Sequence, residues 1–159
     1  SDEVVPLARK ARLFTGLAFG GLLIQLVFGA LTRHLHSSHA MMSHLGFAFI
    51  VVALVLVAGA LCIRVSKVDA SARAIKPLGI VMHGIVVWQF ALGFAVLGLV
   101  WSNDAPVLPT AENLPQAAPI EPAPALVATL HHVSGAMLLA MTACALAWAI
   151  HLAKRPKMQ

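Results

Sequence analysis

Tyrosine is absent, Asp and Glu together number six, and only 11% of the 159 residues are charged. A water-soluble domain of this size needs far more polar surface, so that class is excluded. With two cysteines, Cys62 and Cys144, a disulfide-dense scaffold is excluded as well. Both lie in apolar runs and read as buried, unpaired thiols in preference to a bridge. No Ser-His-Asp set, P-loop, Rossmann fingerprint or Cys-x-x-Cys-His attachment signal is present. None of the acidic residues (Asp2, Glu3, Asp69, Asp104, Glu112, Glu121) falls in an apolar run, which argues against a proton-coupled transporter.

What the chain has is apolar length. Hydrophobic residues make up 60% of it, and its mean hydropathy is +0.88. A membrane-crossing helix needs about 20 apolar residues. Four runs qualify, at 13–31, 40–63, 77–101 and 125–152, with Pro77 in a favourable first-turn position. The first continues for a full span, so it reads as a membrane helix and not as a signal peptide. The fold expected is an all-α, integral membrane four-helix bundle forming a single domain over 1–159.

The net charge of +5 is a topology signal, with anionic lipid as its counter-charge and no call for nucleic acid. Of the eleven Lys and Arg residues, all but Arg33 lie in the N-terminal flank, the middle connection (Arg64, Lys67, Arg73, Lys76) or the C-terminal tail. With four spans those segments share one side, so both termini are expected in the cytoplasm and the protein in the inner cell membrane as a multi-pass chain. The outer connections are then residues 32–39 and a Pro-rich stretch, 102–124, expected to be extended and non-helical.

A weak repeat runs through the spans. Gln25-Leu-Val-Phe-Gly29 in the first run has a counterpart in Gln89-Phe-Ala-Leu-Gly93 in the third. Each is followed by a run that carries histidine near its outer end, His44 in the second and His131-His132 in the fourth. A two-helix pseudo-repeat sets the second and fourth helices across a pseudo-two-fold axis. Ionisable side chains inside a membrane mark functional sites, and two neutral imidazoles at one depth supply both axial positions of a heme iron. His44 and His131 are therefore the expected ligands, with His132 as the alternative, because neighbours on a helix point about 100° apart. Gly46, Ala48, Gly135 and Ala136 are expected to give a porphyrin room, and Arg33 to pair a propionate or else reach lipid headgroups. The heme site falls toward the extracytoplasmic side. His34, His36 and His39 have no specific metal spacing, and a second site of His83 with His151 is a minor alternative. Gln25 and Gln89 are expected to bond between helices, and Met41, Met42, Met82, Met137 and Met141 to pack. The alternative to all of this is a structural membrane subunit whose histidines only pack.

The chain also resembles the heme A synthase family of cytochrome oxidase assembly. The segment from Gln25 through Gly29-Ala30 to Arg33 is similar to that family's first-helix ending, Gln-x-x-x-Gly-Ala-x-x-Arg. His44-Leu-Gly-Phe-Ala48 and Leu130-His131-His132-Val-Ser-Gly-Ala136 are similar to its second- and fourth-helix openings. The resemblance runs over all four spans. It implies half of a full-size member, heme ligation by His44 and His131, and a role in heme maturation or oxidase assembly. Where the family's hydroxylating half has Glu and, after the histidine, Arg, this chain has Met41 and Leu45, and its first outer connection lacks the family's cysteine pair. The heme-holding half is the nearer likeness, with heme b expected ahead of heme O or heme A and no catalytic residue assigned. Expected partners are lipid and either a second copy, restoring eight helices, or a larger respiratory or photosynthetic complex, in which the chain would be a b-type electron-transfer subunit.

Overall fold

The computed structural model describes residues 4–35, 37–102 and 122–154. Its described elements are four long helices, α1 (Val4–Leu35), α2 (Ser38–Val68), α3 (Ile75–Ser102) and α4 (Pro122–Ala153), with a short 3-10 turn, Ala70–Ala72, between α2 and α3. All four are long and apolar enough to cross a membrane. Of the 102–124 connection, residues 103–121 lie outside the described residues, as does His36.

Each helix is longer than its apolar run, and the extensions have local causes. α1 starts well before the run at Leu13 because its basic flank is amphipathic. Ala8, Ala11, Thr15 and Ala18 are fully buried at helical spacing, while Arg9, Lys10 and Arg12 point outward. At its other end α1 continues to Leu35, so Thr32, Arg33 and His34 are helical and not part of a loop. Thr32 returns its hydroxyl proton to the Phe28 carbonyl at 2.9 Å. Arg33 sets positive charge at the negative end of the helix dipole. Ser37 is extended and caps α2 by accepting from the Ala40 amide. The expected connection 32–39 thus contracts to a tight corner. At the far end of α2, Asp69 accepts from the Ser71 amide (2.8 Å) and hydroxyl (2.6 Å), turning the chain into α3. Pro77 sits in the first turn of α3, and Pro122 and Pro124 fall in the first turn of α4, where a missing N–H costs nothing. These two prolines therefore belong to the helix that follows.

The helices pack in a ring. α1 lies against α2 and α4, and α3 lies against the same two. α2 and α4 meet only lightly across one diagonal. The buried seam is rich in small residues, including Ala58, Gly59, Ala145 and Ala149, which bring backbones close together. α2 and α3 approach closely at Gly59 and Gly79. A Cβ on Gly79 would stand 2.6 Å from the Gly59 carbonyl oxygen, and one on Gly59 would stand 2.6 Å from the His83 ring. Large apolar side chains such as Leu26 (61% exposed) and Val87 (61%) point out of the bundle, the arrangement hydrocarbon surroundings permit. Met82 is buried, whereas Met42 and Met137 are exposed on the outside of the bundle. Cys62 is buried and unpaired, as read from the sequence. Cys144 is unpaired but exposed, because an all-round apolar helix conceals which of its faces turns inward.

Gly79→Val should destabilise the bundle by about 1–3 kcal/mol, since its nearest neighbour is the Gly59 backbone, which cannot step aside. Gly84→Ala, whose added methyl meets nothing within 4 Å, should leave unfolding in detergent unchanged or slightly improved. Reversible unfolding of the two variants in mixed micelles compares them.

Candidate functional site

The site is built where α2 and α4 face each other across the diagonal. His44 and His131 are half-buried, and their ring centroids stand 6.5 Å apart with planes 77° from parallel. A metal–nitrogen bond of roughly 2 Å on each side, plus the distance from nitrogen to ring centre, would separate two trans imidazoles by about 6 Å.

Each ring is admitted by a glycine on the preceding helix. A Cβ on Gly29 of α1 would come within 3.2 Å of His44 Cε1, and one on Gly93 of α3 within 3.4 Å of His131 Cε1. Each has a glutamine four residues earlier. Gln25 donates Nε2 to the His44 backbone oxygen at 2.8 Å. Gln89 lies with Nε2 3.4 Å from His131 Nε2 and also contacts Ser134, across α3 and α4. Both glutamines thus bond between helices, as expected. Phe28 and Phe47 pack edge to face beside His44, ring centroids 5.7 Å apart.

Three buried side-chain atoms are left without a hydrogen-bond partner among the described residues: Gln25 Oε1, His44 Nδ1 and His131 Nδ1. All three belong to this one locus. An unpaired polar atom in a bundle interior costs free energy, and such atoms are where a ligand, ion or water completes a structure.

Other residues singled out from the sequence fall elsewhere. His132 is exposed, shares hydrogen-bond contact at 2.6 Å between Nδ1 and the Ala128 carbonyl, and meets His131 only edge-on at 6.1 Å. The ring that α4 turns toward His44 is that of His131. Gly46 is exposed with nothing near its Cβ position, because two residues along a helix is more than half a turn away from His44. Gly135 makes room for the Gln89 amide, 3.0 Å from its Cβ position. Arg33 is exposed on the last turn of α1. His83 hydrogen-bonds the Gly79 carbonyl at 2.7 Å, and His151 stacks edge-on with Trp148, so the two have separate surroundings. Among the described residues no group of three or more His, Cys, Asp or Glu is placed to hold a metal ion. Ser134 was not among the residues singled out from the sequence. The available signal was its position three residues after His131, on the same helical face.

The fold and this locus define a multi-pass helical membrane protein with a histidine pair in its interior. Comparison with known protein families, curated proteins and solved structures finds no match for the chain.

Gly29→Leu should displace the His44 ring and move its imidazole signals, whereas Gly46→Leu should leave them in place. Spectra of protein labelled with 15N in the histidine rings distinguish the two.

Proposed function

We propose that this protein binds one heme between α2 and α4, with His44 and His131 as axial ligands, as a member of the heme A synthase kind acting in heme maturation or cytochrome oxidase assembly. The observation that carries the reading is the imidazole pair itself: two rings from facing helices, 6.5 Å apart, each with a buried Nδ1 that has no hydrogen-bond partner among the described residues. The residues fit such a group. The ring separation is near that of a shared iron, and Gly29 and Gly93 clear the rings. Arg33, at the end of α1, is a cation suited to a heme propionate. A heme bound there would be held by His44 and His131 and would supply one-electron transfer. What the chain's own residues do is hold two imidazoles facing each other across the bundle.

The charge distribution supports a topology with both termini in the cytoplasm and the histidine pair toward the extracytoplasmic side of the inner membrane. The matched elements, Gln25 and Gly29 beside His44 and Gln89 and Gly93 beside His131, support descent from a duplicated helix pair. A second reading, a b-type electron-transfer subunit of a respiratory or photosynthetic complex, is favoured by Met41 and Leu45 where the hydroxylating half of the resembled family has Glu and Arg.

Purified protein should show a reduced-minus-oxidised b-type spectrum and one heme per chain by pyridine hemochrome. His44→Ala and His131→Ala should each lose at least most of that heme, and His132→Ala should keep it. Full heme retention in the double variant of His44 and His131 would remove the site. Near-perpendicular rings should give ferric protein a strongly anisotropic low-spin resonance by EPR. Expression with heme O, followed by heme extraction, separates the two readings: heme A marks the synthase, unchanged heme the electron carrier. Phosphatase fused after Gln159 should be inactive, and active fusions there would reverse the topology.

A further inference from the structure

The two imidazoles differ in one respect. Gln25 bonds the backbone of His44, whereas Gln89 reaches the ring of His131. Gln89 is itself held by Ser134, whose hydroxyl oxygen lies 2.5 Å from Gln89 Oε1, 2.7 Å from the Leu130 carbonyl and 3.3 Å from the His131 carbonyl. All three are acceptors, and a serine hydroxyl has one proton to give. Two oxygens at such short range cannot both be served by it. A half-turn of the Gln89 amide, which exchanges its oxygen and nitrogen in nearly the same space, removes the conflict. The amide N–H then donates to Ser134, the Ser134 hydroxyl donates to Leu130, and the amide oxygen accepts from His131. Every proton in the chain has one acceptor.

We infer that Ser134 and Gln89 are positioning residues that set the tautomer of His131, keeping a proton on Nε2 and leaving the lone pair on buried Nδ1. The opposite tautomer would put an unpaired N–H at Nδ1, where no acceptor is within reach among the described residues. The chain Leu130–Ser134–Gln89–His131 spans α3 and α4, so helix packing and ring orientation are tied together. Among the described residues the His44 ring has no counterpart to it, and Gly29 gives that ring its space. Where heme is bound, as proposed above, an N–H···O bond behind a ligand imidazole strengthens it as a donor and stabilises the oxidised iron. Only this last consequence rests on the heme reading.

Two measurements test the assignment. In heme-free protein, 15N spectra should show His131 as the Nε2–H tautomer with a hydrogen-bonded Nε2 signal. Gln89→Leu should lose the hydrogen-bond shift, Ser134→Ala should broaden it, and Ser134→Thr should restore it. A wild-type ring protonated on Nδ1, or a Gln89→Leu ring identical to wild type, overturns the inference. In heme-loaded protein, potentiometric titration should give a higher midpoint for Gln89→Leu and a smaller rise for Ser134→Ala, with Ser134→Thr near wild type. If Gln89→Leu does not fold, the serine pair decides, and equal midpoints in all three proteins overturn the role. Wild-type protein without heme would defeat the heme reading alone, with the tautomer still decided by the 15N spectra.

Discussion

A polar group surrounded by hydrocarbon must find its partner within the protein, and the interior of this bundle is arranged around that constraint. The backbone meets it by helix formation. Thr15 and Thr142, both fully buried, meet it by returning their hydroxyl protons to the carbonyls of Ala11 and Leu138 at 2.7 and 2.8 Å. Gln25 and Gln89 are too long to do so and bond across to the next helix instead. Among the described residues the solution is incomplete at Gln25 Oε1 and at Nδ1 of His44 and His131, and the whole functional reading grows from that shortfall.

Close packing and the histidine pair are two consequences of the same use of small residues. Gly59 and Gly79 let α2 and α3 nearly touch at one level. Gly29 and Gly93 give space to the rings of His44 and His131. With α1 and α3 each packed against both neighbours, α2 and α4 are held opposite one another, and their histidines reach inward across the diagonal. The ring arrangement therefore depends on all four helices, although the pair itself comes from two.

Much of this was legible in the chain. Spans of about 20 apolar residues announce membrane helices because lipid thickness sets their length. Histidine and glutamine stand out against an apolar background, so His44, His131, Gln25 and Gln89 could be singled out by type and spacing. The extents of the helices were less legible. The basic start of α1 is helical because alanines beneath it are buried, and burial is a property of the partner helix. Cys144 and Gly46 were assigned inward roles that the structure does not support, since a helix apolar on every side has no stripe to mark its inner face.

By itself, the sequence determined the class of fold, the number of spans and the short list of polar residues inside them. Those follow from transfer free energies and helix geometry, which act residue by residue. The tertiary structure alone decided that His131 and not His132 turns toward His44, that Gly135 accommodates Gln89, and that Ser134 joins His131 through it. The reason is that the rotation of each helix about its axis is a collective outcome of packing four helices at once, which no single stretch of chain encodes.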